Sequence, residues 1–359
     1  MILNGRLKRA ASLGLVGALA VQANARPVTA QVGKTPAPVH DLLKAGEAER
    51  AVEAYDAYVD HTGRADRDVL LRLTTAVLER ATTEEDRSLA VEACLALLSL
   101  GEHACRAGLR AALDSPAATP GVRLRVAAAL QPEGGRATGL ARILEGLEGP
   151  AWVAAVDATA VMPPSTAVAV LARVLAEAPV DVRYAALVRL STFDSPEALR
   201  LLRRWSHRPD TPGHLIALAA VGRAGDRDAI ARVRSLLPEL HGQDLLAAGV
   251  ALAEHGEPEG FESIEVVLSG PDALLQIEAA AALARLNHGV GLERLEADLN
   301  NPDVWIRLRT LEQLRGLAVQ PNHRIWRQMA DPLAWVRVRA AQRTLEGLEA
   351  TAPEIASPR

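Results

Sequence analysis

Aromatic side chains are scarce in this chain: Phe, Trp and Tyr make up 3 % of its 359 residues, although 49 % of the residues are hydrophobic. Few large rings are available to organise one globular core, so the apolar surface has to be buried by small and branched aliphatics. Such residues suit close packing of helix on helix. Strand signals are also missing, because no run of alternating Val, Ile, Thr, Tyr and Phe is bounded by turn residues. No charge of one sign prevails: the formal net charge is −4, with Arg interleaved among Glu and Asp. A phosphate backbone calls for a concentrated basic footprint, so this balance argues against a dedicated nucleic-acid binder. Walker-type Gly loops, Gly-x-Ser-x-Gly elbows and dinucleotide fingerprints are all lacking. None of the nine His residues has another His four positions on, the helical spacing of a zinc hydrolase.

The N-terminus reads as an address. Arg6, Lys8 and Arg9 are followed by an uncharged apolar stretch from Ala10 to Val21, and Ala23-Asn24-Ala25 then offers small residues to a signal peptidase. A rival cleavage site lies at Val28-Thr29-Ala30, and no cysteine near either suits a lipoprotein. Residues 1–25 are expected to be a signal peptide directing export, with a periplasmic destination; the alternative is an uncleaved N-terminal membrane anchor. Cleavage after Ala25 would take the net charge from −4 to −7. Residues 26–40, with Pro27, Pro36 and Pro38, read as a flexible linker.

What the chain does have is a metre. Val122, Val153, Val182, Leu215, Leu245, Leu275, Ile306 and Val336 each open a helix-like pattern, at successive spacings of 31, 29, 33, 30, 30, 31 and 30. Breaks such as Phe193-Asp194-Ser195-Pro196, Ala224-Gly225-Asp226-Arg227 and His255-Gly256-Glu257-Pro258 divide each unit into two helices. Turns are therefore expected near 193–196, 224–227, 256–258 and 287–290. Ser195 or Asp194 can cap the following helix, with Pro196 in its first turn. A hairpin of this kind cannot bury its stripe alone, and stacking gives a continuous core with contacts between neighbours. The expected fold is all-α, an α-α superhelix of about eight to nine helical hairpins. An N-terminal helical cap spans 41–83, the repeats span 84–346, and 347–359 form a disordered tail.

The runs Asn301-Pro302-Asp303-Val304-Trp305-Ile306-Arg307 and Asp331-Pro332-Leu333-Ala334-Trp335-Val336-Arg337 resemble the HEAT-repeat family. The short period is similar to its bacterial variety, related to the repeats of phycobilin lyases. The resemblance covers about residues 84–346 and implies a solenoid that serves mostly as a scaffold, occasionally as an enzyme. No His is followed by Glu, so the pairs found in HEAT-repeat di-iron hydroxylases are missing. Gly46 to Val52 resembles a tetratricopeptide hairpin.

Three sets of residues are candidates for more than packing. Cys94 and Cys105 lie about the turn at Leu100-Gly101, each on the apolar side of its helix; they form either a disulfide or two buried thiols. Trp152, Trp305 and Trp335 share one phase, one residue before an anchor. Either each ring fills a recurring gap between repeats, which is the favoured reading, or the three form a partner-binding rim. The pairs Arg123/Arg125, Arg307/Arg309 and Arg337/Arg339 also recur in phase. The first member can hold an acidic loop residue, as the spacing of Asp303 and Arg307 suggests. The sharper reading is a ladder for an acidic partner, and Arg309 and Arg339 join the rim.

These readings converge on an exported, non-catalytic scaffold that binds protein partners on a concave surface lined by the second helices. No catalytic, cofactor or metal-binding residue is assigned. The alternatives are a lyase- or hydroxylase-like HEAT-repeat enzyme or cofactor chaperone, and a membrane-tethered assembly factor. Contact with a membrane is expected only if the signal segment stays attached.

Overall fold

The computed structural model describes residues 37–101, 104–115, 118–130, 143–149, 151–315, 317 and 324–350. The signal segment 1–25, both cleavage sites and the last nine residues lie outside them. Among the described residues no strand occurs, and no helix is long and apolar enough to cross a membrane. The first helices are α1 (Ala37–Lys44), α2 (Ala48–Thr62), α3 (Arg67–Ala81), α4 (Arg87–Ser99), α5 (Cys105–Asp114) and α6 (Pro120–Ala129). The middle of the chain forms α7 (Ala151–Ala158), α8 (Pro164–Glu177), α9 (Val180–Leu190), α10 (Pro196–Ser206), α11 (His214–Arg223) and α12 (Arg227–Leu236). There follow α13 (Gly242–Glu254), α14 (Pro258–Leu268), α15 (Ala273–Arg285), α16 (Gly289–Asp298), α17 (Val304–Gln313), a 3-10 segment (Ile325–Ala330) and α18 (Ala334–Ala350).

Every anchor of the metre falls in the first turns of a helix, from Val122 in α6 to Val336 in α18. The four expected turns separate α9 from α10, α11 from α12, α13 from α14 and α15 from α16. Local chemistry explains the starts. Ser195 Oγ accepts from the Ala198 amide at 3.1 Å, and Asp86, Asp226 and Asp272 cap α4, α12 and α15 in the same way. Each carboxylate or hydroxyl satisfies amides that have no partner inside the helix. Small residues then let helices touch. A Cβ on Gly260 would stand 2.2 Å from Ala253 N, and one on Gly291 2.3 Å from Ala280 O. Helices α14 and α16 therefore lie on α13 and α15 at backbone contact.

The superhelix closes on itself. Helices α4, α6, α7, α9, α11, α13, α15, α17 and α18 pack in sequence, and α18 packs back on α3 and α4. Helices α12, α14 and α16 lie mainly against their own hairpin partners, and α8 and α10 mainly against the first helix of the next unit, all outside this wall. The expectation of a concave face lined by second helices is thus corrected: first helices form the inner layer. The reason is their composition. In α11 every residue from His214 to Gly222 is buried, so it can pack on both sides, whereas the one-stripe second helices can cover only one.

Closure also revises the expected ends. One apolar cluster joins Val39, Tyr55, Leu73 and Leu97 to Ile277, Trp326, Val336 and Leu345. The Tyr55 ring meets Trp326 edge-on at 5.8 Å, and Arg67 donates to Leu348 O at 3.2 Å. Residues 41–83 are therefore not a free cap but half of a seam. Helix α1 begins at Ala37, inside the stretch expected to be linker, and α18 runs past residue 346. Burial of Val39 and Leu348 in the seam holds both segments.

Candidate functional site

The three in-phase tryptophans occupy three different environments. Trp152 is buried at 6 % exposure in the central core. Trp335 is half-buried; its indole N–H donates to Asp86 Oδ2 at 2.9 Å across the seam, and Arg339 lies 5.8 Å from a ring centroid there. Trp305 is 72 % exposed, the most exposed large apolar side chain among the described residues. Gap-filling thus describes Trp152 and fails for Trp305. Leu274, at the same phase of the preceding unit, is also exposed, as are Val153 and Leu333. Because Trp305 stands one turn before Arg309 on the same helix face, it lies at the mouth of the surface that Arg309 continues inward.

Arg309 and Arg339 do not stand free on the rim. Arg309 pairs with Glu278 on α15 and with Glu312 at 3.2 Å. Burial pulls its basicity down, but these two carboxylates outweigh that and raise it. Arg339 pairs with Glu92 at 3.2 Å, and Arg125 grips the same carboxylate. Of the first members of the Arg pairs, Arg307 and Arg337 act structurally, though not by the expected spacing, while Arg123 is exposed. Arg307 reaches Asp331 of the next repeat with Nε at 2.9 Å and Nη2 at 3.3 Å, and also donates to Asn301 O at 2.8 Å. Asp303 instead caps α17 through the Trp305 amide at 2.8 Å. Arg337 donates to Asp331 O and lies 3.5 Å from both Glu49 and Glu84, carrying the ladder across the seam.

Deeper in the ring, charge converges from several helices. Glu92, Glu278, Glu312, Glu346 and Asp157 face one another and the guanidinium groups of Arg125, Arg309 and Arg339. Asp157 keeps solvent on one side, yet desolvation on the other and the Glu312 carboxylate push its carboxyl up. Four more arginines, Arg189, Arg285, Arg315 and Arg343, are all pulled down by burial, Arg343 to about 10.

A set of residues that sequence reasoning passed over sits at the C-terminal ends of the inner helices. Arg189 donates to Thr159 O (3.4 Å), Arg223 to Ser191 O, and His255 Nε2 lies 2.9 Å from Gly222 O. Arg285 donates to Gln313 O (3.0 Å) and Arg315 to Ala160 O (2.7 Å). Each answers the last carbonyls of a helix from another repeat, where a cation also suits the dipole. Their spacings of 34, 32, 30 and 30 carry the same metre as the anchors and were there to be found.

Two further clusters complete the inventory. Cys94 on α4 and Cys105 at the start of α5 are paired as a disulfide, with Cα atoms 5.3 Å apart. Tyr184 donates its hydroxyl to Asp244 Oδ1 at 3.3 Å; burial raises the Asp244 carboxyl, which that bond and then His241 and His214 oppose. Among the described residues no group of three or more His, Cys, Asp and Glu could hold a metal ion. Comparison with protein-family models, with curated proteins and with solved structures finds no match.

Proposed function

We propose that the protein is an exported scaffold that holds a protein partner on the ring mouth around Trp305. The observation that carries this reading is the 72 % exposure of Trp305, where the in-phase Trp152 is buried. An indole left in water adds little to folding, whereas at an interface it offers a large rigid anchor with a hydrogen-bond donor. Exposed Leu274 at the same phase widens the apolar patch. Export is supported by the three-part layout of residues 1–25 and by the Cys94–Cys105 pairing, which suits an oxidising compartment. The HEAT-like runs at 301–307 and 331–337 fit a scaffold role, and no catalytic residue is proposed.

The test is capture from native envelope by mature wild-type protein and by Trp305→Ala, with mass spectrometry of what is retained. A partner held by the wild type and lost from the variant, at unchanged melting temperature, is the expected result. Equal capture by both would remove the mouth from consideration.

A further inference from the structure

Three arginines come together inside the ring, two of them on the adjacent carbonyls of Thr159 and Ala160. Arg315 just past the end of α17, Arg343 on the next helix α18 and Arg189 on the distant α9 each lie within electrostatic reach of at least one of the others. Among the described residues no carboxylate stands in salt-bridge range of Arg189 or Arg315, although Glu346, Glu92 and Glu312 act on Arg315 from farther off. Arg343 is 4 % exposed; among the described residues its one ion-pair partner is Glu346 on its own helix, half in water, and its Nε–H meets no acceptor. Burying like charges together is costly unless an anion joins them. Arg189 and Arg315 are partly answered by the carbonyls of Thr159 and Ala160, which fixes where their forks sit without neutralising them. Arg343 has no such carbonyl.

From this convergence we infer that the interior of the ring is an oxyanion-binding site, with Arg189, Arg315 and Arg343 as its donors. The ligand class is a compact, multiply charged oxyanion, a phosphate or a small polycarboxylate. Guanidinium forks match either geometry, and held by packed helices they are already oriented for it. The site is separate from the Trp305 mouth, so either reading stands if the other fails.

The experiment titrates the full mature chain with inorganic phosphate and, in a second arm, citrate, against chloride at matched ionic strength. Calorimetry and thermal melting are read together. Wild type should show saturable binding and a rise in melting temperature beyond that in chloride; the tighter of the two arms identifies the ligand chemistry. A charge-assisted hydrogen bond is worth about 10- to 100-fold in affinity, so Arg315→Gln should weaken binding at least about tenfold. Arg343→Met should behave in a way no purely structural residue would. Removing a buried, under-paired cation should leave its melting temperature in chloride equal to or above wild type, while abolishing the response to phosphate. Should Arg343→Met fail to fold, Arg189→Lys keeps the charge, loses the fork and is expected to lose the anion response. An effect of phosphate and citrate no larger than that of chloride overturns the inference. So does unchanged anion affinity in the folded variants.

Discussion

Among the tryptophans, sequence phase and structural role come apart. Trp152, Trp305 and Trp335 stand one residue before Val153, Ile306 and Val336, and that register could be read directly. Their exposure could not, because it depends on what the neighbouring repeat sets opposite each ring. Trp152→Ala should open a core cavity and cost about 3–5 kcal/mol. Trp305→Ala should stay within about 0.5 kcal/mol of wild type, as for other surface substitutions. Parallel thermal melts decide this, and a large drop for Trp305→Ala would return it to a packing role. The cysteines behave differently: their positions about Leu100-Gly101 leave a disulfide and two buried thiols equally open, and the structure pairs them. The loop closed by Cys94 and Cys105 spans 11 residues of separation, which corresponds to roughly 2–3 kcal/mol of stabilisation. Thiol counting on exported, unfolded protein should find no free sulfhydryl; two would refute the bridge.

Each helix is defined largely by its own ends, which is why the element boundaries could be anticipated. Ser195, Asp226 and Asp272 cap by chemistry that reaches only two or three residues. Links between repeats, such as that from Arg307 to Asp331, follow no local rule. Arg307 was expected to hold Asp303 within its own helix, but Asp303 is occupied as a cap and Arg307 turns to Asp331 of the next unit. Both partners are largely buried, at 13 % and 6 % side-chain exposure, so this pair is little screened. Arg307→Lys keeps the charge but has only one donor group where the guanidinium makes bonds to a carboxylate and two loop carbonyls. The loss should be about 1–3 kcal/mol by chemical denaturation. A difference below about 0.5 kcal/mol would mean that the ladder is ornamental.

At the scale of the molecule, the metre alone suggests an open rod, yet the ends meet. Nothing periodic announces that meeting. It depends on Tyr55 facing Trp326, on Arg327 holding Asp56 at 2.6 Å and on Trp335 holding Asp86, pairs more than 240 residues apart. Closure changes what the loss of a unit should do. In an open array, deleting residues 242–271, which removes α13 and α14, should leave a shorter folded rod, because contacts are only between neighbours. In a ring the same deletion leaves one inner helix fewer, and every remaining crossing has to tighten for α18 to reach α3 and α4 again. Helix pairs have preferred crossing angles with limited scatter, so the strain should collect at the weakest joint. The seam is that joint because no chain connection backs it: Tyr55, Trp326 and Leu348 are buried there, but its outer ion pairs, such as Arg324 with Asp60, are partly in water and contribute little. The deletion variant should therefore stay helical by circular dichroism but melt in two steps. Limited proteolysis should release the N-terminal hairpins up to about α4 while the units around α8 to α12 stay protected. Lengthening the chain by a second copy of 242–271 should open the seam in the same way, since a ring tolerates neither deficit nor excess. A single cooperative melt with an intact seam in both variants would show that the ends merely touch, and that the molecule behaves as the open solenoid its metre suggests.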